Sequence, residues 1–416
     1  MHDKLNPIVY LTAEFKSRDL DSRLLIAAHL LKAGFPVVLG QQWAIIANAP
    51  TASPGCYHFK TANAFQAGWM RDCSRHLVVA CDEEALPFSG DGFTVNIVPE
   101  ALENSQLFLV QADAHRQVLR EKYRTPDNAI EVVGSPRLEL LARAKAIYAK
   151  EAAAVRAEHG DYILFNTSFG IINSIWGDVE AATGRLLSGG GLSDGDVEER
   201  IEVERKNFDH LRDLLRWTSK RANVVVRPHP SENAKMWRDL GAVVMEGTNP
   251  IPWMLGAKAV VHSTSTTGIE ANALGVPCLN LETTASWGNR FIMQEVNCTV
   301  SSADNAKAAL EQFLTTGRGE LADSVHLRKK MPADGAGNTA KAIARLLLEH
   351  DIMPGPAPAD FAWKMIDGRP DATKAKFFVT PEEISRIAPR IFQSVGLKKV
   401  TFGDLDESVF LFSPGT

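Results

Sequence analysis

The residues best suited to chemistry lie in three polar segments of the second half of the chain. The first contains Arg227 and His229 in the run Arg-Pro-His-Pro, and the third ends at Glu282. The second has five consecutive hydroxyl residues before a glycine and an apolar helix pattern: His262, Ser263, Thr264, Ser265, Thr266, Thr267, Gly268 and Glu270. Hydroxyl and N–H groups at a helix N-terminus bind phosphate, because the helix dipole favours an anion there. An N-cap needs only one Ser or Thr, so the run of hydroxyls favours an anion site.

Each polar segment follows a short apolar run typical of a buried parallel strand. The runs are 224–226, 260–261 and 276–281, and helical patterns separate them. This alternation predicts consecutive βαβ units. Ligands of parallel sheets bind in the crevice beyond the carboxyl ends of the strands. We therefore expect the three polar segments to converge on one pocket.

Charged residues follow two predicted strands of the first half of the chain. Glu14, Lys16 and Arg18 come after the apolar run 8–11, and Glu83 lies in an acidic run after 76–81. Clustered carboxylates raise one another's pKa, which suits a general base near neutral pH. We predict Glu14 as the base and Glu83 as the second candidate, with Lys16 and Arg18 as contacts to an anionic group. Solvated helix starts would give the same pattern, so both interpretations stay open.

The βα pattern restarts in the middle of the chain, after an Ala-rich helical connector. The strand pattern 162–165 ends in Asn166, Thr167 and Ser168, which either contact a ligand or form a turn. The restart predicts an α/β protein with two Rossmann-like domains, 1–150 and 151–348. An extension, 349–416, is expected to pack on the first domain. The Gly-rich segment 187–196 predicts a loop, and 353–358 is rich in proline.

Composition narrows the choice of partners and compartment. The 416 residues carry a net charge of −5 without a basic block, which disfavours nucleic acid. The five cysteines lie far apart without a CxxC pair, as in reduced cytosolic proteins that lack a zinc site. No GxGxxG occurs, so neither a nicotinamide nor a flavin cofactor is expected. A metal site is not expected either. Without a signal-peptide pattern or a long apolar run, the sequence predicts a cytoplasmic protein; contact with the inner membrane face stays open.

Several of these motifs resemble those of bacterial surface-glycan enzymes. The Arg-Pro-His-Pro run followed by the hydroxyl cluster is similar to motifs of transferases that use CMP-activated sugars, such as sialyltransferases and Kdo (3-deoxy-manno-octulosonic acid) transferases. It also resembles teichoic-acid glycerophosphate transferases, which use CDP-glycerol. Three further segments, 14–23, 81–84 and 134–137, resemble the "surface carbohydrate biosynthesis protein" family. That resemblance spans most of residues 7–300.

The resemblance implies a GT-B glycosyltransferase with its active site in the cleft between two Rossmann-like domains. Its donor would be a CMP-activated acidic sugar, used without a metal. Its acceptor would be a surface polysaccharide or a glycan linked to lipid at the inner membrane face. His229 would contact the nucleotide phosphate, the hydroxyl run would hold that phosphate, and Glu270 and Glu282 would bind sugar or ribose hydroxyls.

One position departs from the pattern of the Kdo transferases. Their loop after the first strand of the second half carries an Asp, whereas residues 166–170 here contain no carboxylate. Glu232 is a candidate substitute, although it also suits the first turn of a helix. Three other functions stay open: a non-catalytic sugar- or nucleotide-binding component of an assembly complex, a UDP-sugar transferase or epimerase, and a CDP-glycerol-type transferase.

Overall fold

A computed structural model describes residues 6–86, 90–188, 194–247, 249–283, 297–319, 321, 333–352, 363–364 and 376–415. The strands are β1 (Ile8–Ala13), β2 (Val37–Gln41), β3 (Gly55–Phe59), β4 (Leu77–Cys81), β5 (Leu107–Val110), β6 (Ile130–Val132), β7 (Tyr162–Asn166), β8 (Asn223–Arg227), β9 (Val243–Val244), β10 (Ala259–His262), β11 (Cys278–Leu281), β12 (Cys298–Val300), β13 (Val400–Asp406) and β14 (Val409–Pro414). The helices are α1 (Lys16–Lys32), α2 (Gln42–Asn48), α3 (Ala64–Asp72), α4 (Pro99–Glu103), α5 (Asp113–Tyr123), α6 (Pro136–Ile147), α7 (Ala149–His159), α8 (Val179–Ser188), α9 (Asp194–Thr218), α10 (Ala234–Arg238), α11 (Pro250–Gly256), α12 (Thr267–Leu274), α13 (Ala303–Thr316), α14 (Gly335–Glu349) and α15 (Pro381–Ser394).

The chain divides into two compact units, each built on its own sheet. The first unit consists of Met1–Leu86, Phe93–Arg143 and Lys330–Thr416, and the second of Pro87–Gly92 and Ala144–Lys329. In the first unit the strand order is β13-β14-β2-β1-β3-β4-β5-β6, with β1 to β6 parallel. The antiparallel pair β13 and β14 extends the sheet at the β2 edge. The strand order reverses at β1 and β3, which is the switch point where doubly wound sheets bind ligands.

The second unit is an all-parallel sheet within the described residues, in the order β12-β11-β10-β7-β8-β9. In chain order this is the 3-2-1-4-5-6 arrangement of a Rossmann fold, and the switch point lies between β7 and β10. The three apolar runs that precede the polar segments are the buried strands β8, β10 and β11. Residues including Phe165, Leu211, Trp237 and Leu279 form one core cluster against this sheet.

Helix α14 belongs to the first unit, so the second unit ends near Lys329 and not at 348 as the sequence suggests. The buried Glu139 of α6 accepts hydrogen bonds from the N–H groups of Ala336 (2.8 Å) and Gly337 (3.0 Å). A carboxylate is favourable there because it meets the positive end of the α14 dipole. The backbone of Gly335 also lies so close to Ser135 that an added Cβ would come within 2.2 Å of its carbonyl carbon.

The described part of the C-terminal extension also packs on the first unit. Strand β14 pairs with β2, and Lys16 of α1 forms an ion pair with Glu383 of α15. Around the Gly-rich segment predicted as a loop, α8 extends to Ser188 and α9 begins at Asp194. Residues 189–193 and the proline-rich stretch 353–358 lie outside the described residues.

Candidate functional site

The three strands nearest the switch point of the second unit end in line. The register pairs His262 of β10 with Asn166 of β7, and Asn166 with Arg227 of β8. The hydroxyl run, the segment 166–170 and the Arg-Pro-His-Pro run therefore leave the same edge of the sheet side by side. The predicted convergence of the first two polar segments, with the loop after β7 between them, follows from this register.

The loop after β7 holds both of its neighbours. Ser168 Oγ donates a hydrogen bond to the carbonyl oxygen of Ser263 (2.9 Å), which fixes the loop after β10. On the other side, Thr167 Oγ1 donates to the carboxylate of Glu232 at 2.8 and 2.9 Å. The turn chemistry that the sequence left open at these residues thus connects the polar segments to one another.

Glu232 is a buried acceptor and not an exposed nucleophile. Besides Thr167, it accepts from the backbone N–H of His229 (3.0 Å) and from the indole N–H of Trp237 (3.1 Å). Burial raises the pKa of Glu232 above its ordinary value, although these hydrogen bonds oppose the rise. Both oxygens are engaged and the side chain is 3% exposed. Glu232 is therefore suited to fixing the His-Pro loop, and poorly placed to substitute for the missing Asp of Kdo transferases.

His229 is exposed, and its ring orientation is set by Ser231. The Nδ1 atom accepts a hydrogen bond from the backbone N–H of Ser231 (3.2 Å) and lies 2.6 Å from Ser231 Oγ. Because a backbone N–H can only donate, Nδ1 carries no proton in this geometry. The neutral tautomer therefore has its proton on Nε2, which makes Nε2 a hydrogen-bond donor.

Gly170 leaves the space that Ser231 occupies. A Cβ added at Gly170 would lie 2.2 Å from Ser231 Oγ and 3.2 Å from its Cβ. No side chain larger than hydrogen fits there without moving Ser231, and with it the ring of His229. The glycine at the end of segment 166–170 is thus a positioning residue that the sequence pattern did not single out.

Two side chains at the switch point have polar atoms without a hydrogen-bond partner among the described residues. They are the amide of Asn166, at both Oδ1 and Nδ2, and the hydroxyl of Ser263. Each residue is only 1% exposed. Buried polar groups are nearly always hydrogen-bonded, and an exception requires an explanation such as a ligand.

The hydroxyl run adopts a strained turn beside these atoms. Thr264 has a φ of 49°, in the left-handed region that a β-branched residue rarely adopts. Its N–H donates to Oδ1 of the buried Asn280 (2.9 Å), which holds the turn. Strain of this kind persists where surrounding contacts impose it, and it clusters at functional sites.

Helix α12 does not use the whole hydroxyl run as a cap. Ser265 Oγ and Thr267 Oγ1 lie 2.9 Å apart, while Thr266, at the N-cap of α12, is exposed and makes no side-chain capping bond. The capping interpretation therefore does not account for Thr266, nor for the unpartnered hydroxyl of Ser263.

His262 and Gly268 support the turn from its buried side. His262 is fully buried, its Nδ1 accepts from the N–H of Ser265 (3.2 Å), and its Nε2 lies 3.1 Å from the Asn297 amide. Burial lowers the pKa of His262 to about 3, so the ring is neutral. A Cβ at Gly268 would lie 2.1 Å from His262 Nε2, so the glycine allows α12 to approach the strand. Both residues position the site.

The two predicted hydroxyl-binding carboxylates are mostly buried. Glu270 lies in the first turn of α12 and Glu282 follows β11; each is 7% exposed. The side chain of Asn280 connects this end of β11 to the turn at Thr264. Asn280 and Glu204 are site-supporting residues that sequence reasoning missed. Glu204 of α9 accepts from the N–H groups of Ile171 (2.7 Å) and Ile172 (3.0 Å) in the loop after β7.

In the first unit, each charged residue predicted for the acceptor side forms an ion pair with another charged residue of that unit. Glu14 lies between Lys60 (3.1 Å) and Lys376 (3.0 Å), and Glu83 contacts the buried Arg23 (2.6 Å). Burial alone would raise the pKa of Glu14, but the two lysines outweigh it and lower that pKa. A lowered pKa weakens a carboxylate as a base, which argues against Glu14 in that role.

The predicted cations are also engaged. Lys16 pairs with Glu383 (2.7 Å), and Arg18 pairs with Asp19 (3.2 Å) and Glu84 (2.7 Å). Binding an anion would therefore compete with carboxylates already in place.

Two features are absent from the described residues. Among them, no group of three or more His, Cys, Asp or Glu side chains has an arrangement able to hold a metal ion. Over the same part of the chain, every helix is too short or too polar to cross a bilayer.

Comparison with known proteins places the fold but not a family. No protein-family profile matches the sequence, and no curated protein matches it significantly. Among solved structures, the wall teichoic acid polymerase TagF soaked with CDPG matches with 10% identity and a TM-score of 0.52, over 83% of this chain and 89% of that one. The UDP-GlcNAc 2-epimerase from Neisseria meningitidis bound to UDP-GlcNAc matches with 13% identity and a TM-score of 0.51, over 82% of this chain and 100% of that one. The epimerase from Methanocaldococcus jannaschii matches with 13% identity and a TM-score of 0.50, over 82% of this chain and 99% of that one.

These likenesses confirm the predicted fold class, a GT-B fold of two Rossmann-like α/β units. At such low identity they show the fold alone.

Proposed function

We propose that the protein is a bacterial GT-B glycosyltransferase that uses a CMP-activated acidic sugar, of the Kdo or another ulosonic or nonulosonic type. The acceptor is a surface polysaccharide or a lipid-linked glycan. The observation that supports this most is the pair Asn166 and Ser263, whose buried polar atoms have no partner in the described part of the chain. They lie at the switch point, where Rossmann-like sheets bind nucleotides. A phosphate oxygen would accept from Ser263 Oγ and Asn166 Nδ2, and a ribose hydroxyl would supply the donor that Asn166 Oδ1 needs.

In this proposal the second unit binds the donor. His229 donates a hydrogen bond from Nε2 to the phosphate of the nucleotide, as its tautomer favours. The strained turn at Thr264 and the first turn of α12 hold the same phosphate. Arg227 contributes charge beside them, and Glu270 and Glu282 bind ribose or sugar hydroxyls.

The transfer step requires a leaving group and a base. The bond between the anomeric carbon and the phosphate oxygen breaks, and its electron pair stays with CMP. The acceptor hydroxyl forms the new glycosidic bond and gives its proton to a base. Hydrogen bonds to the departing phosphate strengthen as its charge develops, which is how His229 accelerates the step. Comparing Glu14→Gln with Glu83→Gln tests the two predicted bases, since the true base is the one whose loss abolishes transfer without weakening CMP binding.

The nucleotide is the part of the donor that one experiment can decide. TagF was soaked with CDPG and the Neisseria epimerase contains UDP-GlcNAc, so a CDP-glycerol-type transferase and a UDP-sugar enzyme are the alternatives. Isothermal titration of the full chain with CMP, CDP and UDP, each with and without EDTA, separates them. We expect CMP to bind most tightly and EDTA to change nothing. Preference for CDP or UDP would favour the corresponding alternative, and weaker binding in EDTA would contradict metal independence.

Activity and localisation need their own measurements. A non-catalytic nucleotide-binding component would bind CMP but never turn over a CMP-sugar, so release of CMP from CMP-Kdo and CMP-sialic acid distinguishes it from an enzyme. We propose that the protein acts in the cytoplasm, at the inner membrane face when its acceptor is lipid-linked. Sedimentation with vesicles of bacterial lipids, with and without an extracted lipid-linked glycan, tests that association.

A further inference from the structure

A second group of unsatisfied polar atoms lies in the first unit, where three neighbouring strands end. Thr61 follows β3, Asp82 follows β4 and Gln111 follows β5; they are 6%, 3% and 6% exposed. Each has one side-chain oxygen without a partner among the residues that the structure describes: Thr61 Oγ1, Asp82 Oδ2 and Gln111 Oε1. We refer to these three residues as the β3–β5 site.

Three hydrogen bonds stabilise the loops that carry the β3–β5 site. Gln111 Nε2 donates to the backbone carbonyl of Asp82 (3.1 Å), and Asp82 Oδ1 accepts from the N–H of Glu84 (3.1 Å). The N–H of Glu83 donates to the carbonyl of Lys60, next to Thr61 (2.9 Å). Asp82 and Gln111 are therefore fixed through one polar atom each, while the other atom has no partner in the described residues.

The unsatisfied atoms suit a ligand that both donates and accepts hydrogen bonds. Gln111 Oε1 can only accept a hydrogen bond, and Thr61 Oγ1 can donate or accept. Burial, reinforced by the charges of Glu84 and Glu83, raises the pKa of Asp82 well above its ordinary value, which favours the protonated carboxyl group, a hydrogen-bond donor. A phosphate or carboxylate offers no donor to Gln111. An alcohol group offers both functions, and a polyol offers several at once.

The surrounding charges cancel. Five cations and five carboxylates around this edge are joined in ion pairs: Lys16–Glu383, Arg18–Asp19, Arg18–Glu84, Arg23–Glu83, Lys60–Glu14, Lys60–Asp19 and Lys376–Glu14. With Asp82 protonated, these ion pairs carry no net charge among themselves; Arg137 lies beside them, and its Nη1 donates to the carbonyl oxygen of Arg18 (3.0 Å). One further donor, Arg23 Nη2, has no partner in the same set of residues, but its guanidinium already pairs with Glu83.

We propose that the β3–β5 site binds the hydroxyl groups of an uncharged sugar or polyol, and that this ligand is the acceptor of the transfer reaction. Its role as acceptor site rests on the function proposed above, whereas the binding itself does not. In this proposal the acceptor is recognised through a neutral hydroxyl group, and not through an anionic group bound by Lys16 and Arg18.

Matched pairs of neutral and anionic probes test the chemistry of the ligand. Saturation-transfer NMR on the full chain would compare glycerol with glycerol 3-phosphate, and methyl glucoside with methyl glucuronide. We expect the neutral member of each pair to bind about 10-fold more tightly, the effect of one well-made hydrogen bond. Tighter binding of the anionic members, or no binding of any neutral probe, would overturn the proposal.

Variants locate the binding. Thr61→Val removes the unpartnered hydroxyl with little change of shape, so binding of the neutral probes should fall about 10-fold. Thr51→Val is the matched control, because Thr51 is exposed and its hydroxyl already bonds to Asn48. Asp82→Asn keeps a donor at the position of Oδ2 and should bind the neutral probes within ~3-fold of the unaltered protein. Equal binding in Thr61→Val and Thr51→Val, or loss of binding in Asp82→Asn, contradicts the site.

The same samples separate this proposal from the proposed function. CMP titration into Thr61→Val should give the affinity of the unaltered protein. If CMP binds but no neutral probe does, the β3–β5 assignment fails while the donor proposal stands. If neutral probes bind but no nucleotide does, the glycosyltransferase proposal fails and the polyol site stands alone.

Discussion

The carboxyl edges of the two sheets differ in how they use charge. At the first, ion pairs such as Lys60–Glu14 and Arg23–Glu83 surround the β3–β5 site. At the second, the side chains at the switch point itself, Asn166, Thr167 and Ser263, are neutral, and the charged residues Arg227, Glu270 and Glu282 lie at the strand ends beside them or, for Glu270, in the first turn of α12. One of its buried carboxylates, Glu232, is occupied by hydrogen bonds that fix the His-Pro loop.

The pairing of charges, and not their number, indicates the charge of the ligand. At the first edge the acids other than Asp82 each pair with a base, so these charges stabilise loops. The second edge presents amide, hydroxyl and imidazole donors near a helix N-terminus, and such donors suit a negatively charged phosphate.

The largest effect is expected at His229. His229→Ala should lower the rate of transfer by about 10²–10⁴-fold, because the departing phosphate loses its donor. The fold should be intact, since the side chain is exposed and contributes little to the core. Turnover of a CMP-sugar and a thermal melt measure the two quantities.

Two further variants distinguish a neutral donor from a proton donor. Gln at 229 can present an N–H near the position of Nε2, whereas Asn reaches only the position of Nδ1. We expect His229→Gln to retain ~10-fold more activity than His229→Asn or His229→Ala. Equal rates in all three variants would show that the ring delivers a proton, contrary to the tautomer inferred from Ser231.

Asn166 should contribute to binding at the cost of stability. Asn166→Leu should weaken CMP binding by about 10-fold or more, because up to two hydrogen bonds to the nucleotide are lost. Without ligand, the same variant should melt at a higher temperature, since an unsatisfied buried amide disappears. Asn280→Leu is the contrasting variant: its amide already bonds to Thr264, so its loss should lower the melting temperature. A destabilised Asn166→Leu would show that the amide has a structural partner and no ligand.

Gly170→Ala should damage the site through Ser231. The added methyl group would push Ser231 Oγ away from the ring of His229, at a cost near the lower end of the ~1–3 kcal/mol typical of overpacking, because a hydroxyl can rotate. Transfer should fall, because the ring of His229 loses the hydroxyl that orients it. Gly184→Ala in α8 is the control, since nothing lies within 4 Å of its added Cβ. If Gly170→Ala and Ser231→Ala are additive in a double-mutant cycle, the contact does not couple the two loops.

The sequence predicts the sheets well because their signal is local. Apolar runs that end in polar residues locate β7, β8 and β10, and the order of those runs predicts which loops meet. The hydroxyl run and the His-Pro run could be singled out as a site for the same reason. The division into two Rossmann-like units follows from the restart of the pattern near residue 162, and the resemblance adds the GT-B fold.

The remaining features depend on contacts that are distant in the chain. Glu232 looks like an ordinary helix acid until Thr167 and Trp237 are brought to it. The sequence around Glu14 suggests a base, but in the fold its carboxylate forms ion pairs with Lys60 and Lys376 of two other segments. The sequence pattern predicts helix α14 in the second domain, because local periodicity contains no sign of its contact with the distant Glu139. Pairing between distant segments therefore bears on the role of each residue in a way that residue type alone does not show.

The smallest predicted effect concerns the proton on Asp82, and it tests the neutral character of the first edge directly. Burial raises the folded-state pKa of Asp82, the charges of Glu84 and Glu83 add to the rise, and Lys60 and the N–H of Glu84 oppose it. In the unfolded chain an aspartate ionises near its ordinary pKa of about 3.9. Above that pH the folded protein binds one more proton than the unfolded chain, so its stability falls as pH rises towards the folded-state pKa.

Asp82→Asn removes this proton and with it the dependence on pH. The variant should therefore melt higher than the unaltered protein near neutral pH, by roughly 2–4 °C if the penalty is about 1 kcal/mol. The difference should shrink towards pH ~4, where both states of the unaltered protein hold the proton. Asp72→Asn, at an exposed position in the same unit, serves as the control and should not show this trend. Parallel melting curves for Asp82→Asn and the unaltered protein would mean that Asp82 ionises as an ordinary surface acid does. The first edge would then carry a net negative charge, and the contrast between the two edges would have to be explained without a neutral carboxyl group.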